Sequence, residues 1–297
     1  MRMVAVPSPA TALPSHCDQL IAADGVALAL ETYGNEHDPP LLFAHGFGQT
    51  RLAWSASAAA LAAERWHCVT ADARGHGDSG WREDGAYEFA QFVDDLVRAA
   101  RYCRSAPVLV GASMGGLLGL IAQAEHSVFR ALVLVDITPR WEPAGIARIL
   151  DFMRAHPHGF ATLDEAAAAI AHYLPHRATR KSPERLRKML VRRDDGRLRW
   201  HWDPRLLERI AADGQRQQQR LLDAACRIRV PTLLLSGEQS DIVSNSTIEE
   251  FLHCVPHAQH VRVARATHMI VGDRNDAFTA AVREFIQPLR SAAPTLP

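Results

Sequence analysis

The chain has 297 residues, 47% of them hydrophobic and 22% charged, and its 33 Lys and Arg are balanced by 33 Asp and Glu. This composition is that of a globular protein, and a chain of this length buries enough surface to hold its fold without staples. The charge balance gives no sustained field for phosphate backbones or anionic lipid, and no run approaches the roughly 20 apolar residues of a membrane span, so neither nucleic acid nor membrane is expected as a partner.

Residues 1–16, with Pro7, Pro9 and Pro14, read as a frayed leader that lacks the apolar run of a signal peptide. A β-hairpin is predicted over 20–33, turning at Asp24-Gly25. A buried strand at 41–44 and a helix over 52–64 follow, then a strand at 67–71 and a helix over 89–101 with Phe92, Val93, Leu96 and Val97 inward. Strands at 107–110 and 131–135 flank a helix from Met114 to about 125. The pattern returns with a strand at 231–235, a helix over 247–255 and a strand at 260–263. An amphipathic helix over 277–289 and a tail over 291–297 close the chain. Strands apolar on both faces and alternating with helices predict an α/β fold: a mostly parallel sheet covered on both sides, with an antiparallel leading edge.

Residues 139–219 break the alternation and read as a mostly helical cap inserted between two strands, with the core formed by 1–138 and 220–297. Thr162-Leu163-Asp164-Glu165 matches a capping box, Ser182-Pro183-Glu184 is a helix start, and Asp195-Gly196 is a tight turn into 197–202. An insertion at that place lies over the carboxyl ends of the strands, where open α/β sheets bind ligands. The five cysteines (Cys17, Cys68, Cys103, Cys226, Cys254) are scattered, odd in number and form no Cys-x-x-Cys pair. Neither a disulfide framework nor a zinc site is expected, and a reducing, cytoplasmic compartment is the reading.

Chemistry is signalled most sharply by Gly111-Ala112-Ser113-Met114-Gly115-Gly116, which follows a strand and opens a helix. A serine on so sharp a turn needs small neighbours two residues to each side, and Gly111 and Gly115 supply them. Of the 15 histidines, His268 lies in a short loop after a late strand, ahead of a helix that Asp273 can cap. Asp241 lies in the loop past strand 231–235. The chain order Ser113, Asp241, His268 is that of a nucleophile, an orienting acid and a base. Asp136, at the end of strand 131–135, is the rival acid, and Asp241 is preferred on loop position and chain order. His45-Gly46-Phe47-Gly48 follows the strand at 41–44. The N–H groups of Phe47 and Met114 are the expected oxyanion donors, and His45 is expected to order the loop.

Together with Asp72-Ala73-Arg74-Gly75-His76-Gly77-Asp78-Ser79, these motifs resemble the α/β-hydrolase superfamily, and more narrowly its small bacterial esterase-like members, over residues 20–289. That resemblance implies hydrolysis of a small carboxylic ester or lactone through an acyl-enzyme, with no cofactor or metal. Enol-lactonase, thioesterase and carbon–carbon hydrolase chemistry are alternatives on the same triad, although Ala112 and Met269 depart from the Asn and Trp common in the last. A non-catalytic ligand-binding protein of the same fold is the reading from another class. Trp141, Met153, Trp200 and Trp202 are candidate pocket walls.

Two other motifs lead elsewhere. Gly75-His76-Gly77-Asp78-Ser79-Gly80 matches a dinucleotide fingerprint, but polar loop residues follow where a helix should open. The histidine pairs His156/His158 and His172/His176 are interrupted by Pro157 and Pro175 and do not have metal-ligand spacing.

Overall fold

The structure is a computed structural model, and it describes residues 15–173, 186–187, 189–268, 270 and 275–291. The helix start at Ser182-Pro183-Glu184, the residues His176, Met269 and Asp273, most of the leader and the last six residues lie outside the described residues.

The described residues form ten strands: β1 (His16–Ile21), β2 (Ala27–Tyr33), β3 (Pro40–Ala44), β4 (His67–Ala71), β5 (Val108–Ala112), β6 (Ala131–Val135), β7 (Leu190–Arg192), β8 (Leu198–Trp200), β9 (Thr232–Gly237) and β10 (Gln259–Val263). Eight of them make one sheet in the order β1-β2-β4-β3-β5-β6-β9-β10. β1 and β2 pair antiparallel, β2 meets β4 antiparallel, and all later pairs are parallel. The predicted hairpin turns at Asp24-Gly25, closed by Ala22 N–H to Val26 O at 2.8 Å, but its first strand begins at His16, inside the expected leader.

β3, β5 and β6 are buried along their whole length, which is why they read as unbroken apolar runs. Alternate residues separate to the two faces. Leu42, Leu109, Leu132 and Leu234 pack on one side with α2 (Phe89–Tyr102), α3 (Met114–His126), α6 (Leu206–Cys226) and α7 (Asn245–Cys254). Phe43, Val110, Val133 and Leu235 pack on the other with α1 (Ser55–Ala62) and α8 (Asn275–Ile286).

Between β6 and β9 the chain makes α4 (Pro143–Arg154), α5 (Leu163–Tyr173), the β7–β8 hairpin and α6. The insertion is therefore not purely helical. Asp195-Gly196 turns a two-stranded ribbon, and Phe160 adds a bridge to Leu198 with bonds of 2.7 and 2.8 Å. Thr162 does cap α5, its hydroxyl accepting from Glu165 N–H at 3.1 Å. The return to the core is one continuous helix, so the boundary expected at Gln219 falls inside α6.

Cysteine spacing gave no warning of a further feature. Cys226 and Cys254, at the ends of α6 and α7, form a disulfide with Cα atoms 4.4 Å apart. The bond removes the support that scattered cysteines lent to a reducing compartment. Among the described residues, no helix is long and apolar enough to cross a membrane.

Candidate active site

β5 runs into α3 through Ser113, whose φ of 47° and ψ of −117° lie outside the regions open to ordinary residues. The turn is held by Ser113 N–H to Val135 O at 3.1 Å, and Ser113 O accepts from Gly116 and Leu117. A Cβ on Gly115 would collide with the Ala44 backbone, and one on Gly111 would lie 2.7 Å from the Gly115 backbone. That packing is the reason for glycine at both places. The Ser113 side chain makes no capping bond to its own helix. Its hydroxyl stands at the helix N-terminus.

Ala112 pairs with Val135, so the residues just beyond them, Ser113 and Asp136, emerge side by side at the carboxyl ends of β5 and β6. Asp136 is fully buried, with φ of 49°. Its Oδ1 accepts from Gly237 N–H at 2.7 Å. Its Oδ2 accepts from the Ser240 hydroxyl at 2.6 Å and meets His268 Nδ1 at 2.9 Å. The carboxylate bonded to the imidazole is thus Asp136 and not Asp241, the acid preferred from the sequence. Asp241 lies against the insertion instead, its Oδ2 2.9 Å from Arg148 Nη2 on α4. The physical reason is where each acid stands. β6 lies beside the serine's strand, so the residue just past its end stands next to Ser113, whereas Asp241 is four residues beyond the end of β9, where the loop has turned toward the insertion. An imidazole anchored through Nδ1 presents Nε2 as its free acceptor.

The loop after β3 reaches the serine from the other side: a Cβ on Gly46 would lie 3.1 Å from that of Ser113. Among the described residues, the N–H groups of Phe47 and Met114 donate to no protein acceptor, whereas those of Gly46 and Gly48 do. Three buried histidines brace this loop and the neighbouring stretch after β4, of which only His45 is marked for an ordering role by the sequence. His45 Nδ1 donates to Gly46 O at 2.8 Å, and its Nε2 accepts from Ala73 N–H at 2.9 Å. His76 Nε2 accepts from Gly48 N–H at 3.2 Å, and His201 Nδ1 accepts from Gly77 N–H at 3.2 Å. Burial lowers the pKa of all three, that of His201 to about 4. They are neutral acceptors for backbone N–H groups. The stretch from Gly75 to Gly80 that carries His76 stays a loop rather than opening a helix.

The four candidate wall residues divide. The Trp202 and Phe47 ring centroids are 5.8 Å apart, and Met153 Cε lies 2.6 Å from where a Cβ on Gly48 would stand. Gly48, with φ of +74°, accommodates both the turn and that methyl. Trp200 instead packs inside the insertion, edge-on to Phe160 at 5.3 Å, and Trp141 is half-buried just ahead of α4. Among the described residues, no three His, Cys, Asp or Glu side chains converge as metal ligands.

A family model described as alpha/beta hydrolase fold matches residues 39–274. A 3-hydroxybutyrate-oligomer hydrolase of Cupriavidus necator is 31% identical over 81% of this chain and 86% of its own length. An esterase of Mycobacterium tuberculosis is 27% identical over 82% of each. Among solved structures, an alpha/beta hydrolase from Novosphingobium aromaticivorans is 25% identical, with a TM-score of 0.77 over 93% of this chain and 99% of that one. The relatives aligned along most of the chain are hydrolases, esterases among them.

Proposed function

Because the chain belongs to the α/β-hydrolase fold family, we propose that it cleaves a small carboxylic ester or lactone through an acyl-enzyme on Ser113. The observation that carries this reading is the bond from His268 Nδ1 to buried Asp136, at the carboxyl ends of the strands where Ser113 stands on its strained turn. His268 Nε2 takes the Ser113 proton as the hydroxyl attacks the carbonyl carbon. Asp136 holds the tautomer and stabilises the imidazolium without itself taking the proton. The N–H groups of Phe47 and Met114 receive the oxyanion. His268 then protonates the departing alcohol, and water, activated by the same imidazole, releases the acid and restores Ser113. The names of the relatives support an ester bond over a carbon–carbon bond.

The test is direct. A fluorophosphonate should add one adduct at Ser113, and Ser113→Ala should keep the fold and lose nearly all turnover across a panel of p-nitrophenyl esters, lactones and acyl-CoAs. Labelling elsewhere, or an alanine variant with near-normal turnover, would refute the assignment.

A further inference from the structure

The insertion meets the core at His201-Trp202-Asp203, and both neighbours of Trp202 are tied down. His201 Nδ1 accepts from Gly77 N–H at 3.2 Å. Asp203 N–H donates to Gly75 O at 2.8 Å, and the Asp203 carboxylate accepts from the Tyr87 hydroxyl at 2.7 Å. Trp202 is only 4% exposed, its ring rests on Phe47, and its Nε1 stands 3.7 Å from the position of a Cβ on Gly48.

The indole N–H of this residue has no acceptor among the described residues. Those of Trp54, Trp66 and Trp200 also lack one, but those three nitrogens are fully buried, and Trp202 Nε1 is not. An N–H held in place on a side chain only 4% exposed, itself accessible and bonded to no protein group, is a donor open to an acceptor on a bound ligand. Its place identifies that group. A Cβ stands about 1.5 Å from its Cα, so Nε1 lies within about 5 Å of Gly48 Cα, and Phe47 is one residue away, about 3.8 Å between Cα atoms. The donor therefore lies within about 9 Å of Phe47 Cα, a span that a short acyl chain can cover from the carbonyl that Phe47 N–H would polarise. In the sheet order β3-β5-β6-β9-β10, the loop after β3 lies on one side of Ser113 and His268, after β10, on the other. The alcohol must leave on the His268 side to be protonated there. What extends toward Trp202 is the acyl chain.

We propose that Trp202 Nε1–H is a specificity-determining donor that selects acyl groups bearing an acceptor oxygen near the carbonyl, as in 3-hydroxyacyl or 3-oxoacyl esters. The proposal rests on the reading of Ser113 as the nucleophile that forms the acyl-enzyme. No step of the chemistry passes through Trp202.

Three ethyl esters test it: 3-hydroxybutanoate, 3-oxobutanoate and 3-methylbutanoate, the last replacing the hydroxyl by a methyl group of similar size. In the wild type, kcat/KM for at least one oxygenated ester should exceed that for the methyl ester by about tenfold, the worth of one net hydrogen bond. The favoured arm tells whether hydroxyl or keto oxygen is the group bound. In Trp202→Phe that ratio should fall to about one, whatever loss both esters share, since a purely structural role would lower them together. Trp202→Leu gives the same comparison should the phenyl ring fail to seat. A wild-type ratio at or below one for both oxygenated esters, turnover of none of the three, or a ratio that survives in the variants would overturn the proposal. Fluorophosphonate labelling of the same preparations separates the two failures. A labelled Ser113 with a flat ratio overturns only the role of Trp202, and an unlabelled one overturns the ester reading itself.

Discussion

Replacing Asp136 by Asn exchanges one carboxylate oxygen for an NH2 group at the centre of a crowded set of donors. The carboxylate receives three: Gly237 N–H at 2.7 Å, the Ser240 hydroxyl at 2.6 Å and His268 Nδ1 at 2.9 Å. In the variant, the amide oxygen can keep the Gly237 bond, while the new NH2 faces His268 and Ser240 Oγ, which already accepts from Ile242 and Val243 N–H. Facing an NH2 donor, Nδ1 must give up its proton, which moves to Nε2, the nitrogen that has to accept from Ser113. The imidazolium also loses its counter-charge in a fully buried site. By the precedent of other triads, kcat should fall by about 10⁴, equivalent to about 5 kcal/mol of barrier, with KM little changed. Asp241→Asn breaks only a contact with Arg148, which is 57% exposed. Such a pair is worth at most about 1 kcal/mol, so turnover should change no more than a few-fold. Steady-state kinetics on one p-nitrophenyl ester, with circular dichroism to confirm folding, decides between the two acids. An Asp136→Asn enzyme within tenfold of wild type, beside a dead Asp241→Asn enzyme, would refute the assignment of Asp136.

The remaining expectations concern stability. With a folded pKa of about 4 for His201 and lowered values for His45 and His76, the unfolded chain takes up protons first on acidification. Stability should be full above about pH 6.5 and fall as pH drops toward 4, His201 alone contributing about 3 kcal/mol. Urea midpoints across that window should show the slope, and His201→Gln should flatten it; equal slopes would refute the histidine account. The Cys226–Cys254 disulfide closes a loop with a sequence separation of 28. Reduction, or Cys254→Ser, should lower stability by about 3 to 4 kcal/mol by the chain-entropy relation. A melting temperature indifferent to reductant would argue against the bond.

The sheet was legible because its strands are buried on both faces, and unbroken apolar runs between turn residues leave little else to form. β4 and β6 match their predicted limits residue for residue. The serine turn was legible for a similar reason, since glycines two residues to each side of Ser113 answer a local steric demand. The acid was not. Asp136 and Asp241 each follow an apolar strand and each fall between Ser113 and His268 in the chain, so order alone could not separate them. What separates them is which carboxylate the tertiary packing turns toward His268 and which toward Arg148 of the insertion, and no local pattern encodes that. Gly237, the last residue of β9, and Ser240 both donate to Asp136, a convergence that the sequence does not display. The β7–β8 ribbon was missed because its strands are three residues long, too short for alternation to show. The Cys226–Cys254 bond joins two helix ends whose approach depends on tertiary packing alone.

With the acid seated on β6, the β9–α7 loop has a different duty. Ser240 leans inward on Asp136, while Asp241 faces Arg148, Ile242 O accepts from Glu142 N–H at 3.0 Å, and α4 packs so closely that a Cβ on Gly145 would strike the Asp241 backbone. Apart from Ser240, the loop is therefore the socket of the insertion. A socket can be recut without retuning the machine it serves. Grafting an insertion from another family member should require exchanging residues 241 and 242 along with it and leaving Ser240 in place. Substrate range and turnover would then be separable traits in this scaffold, inherited by different stretches of chain.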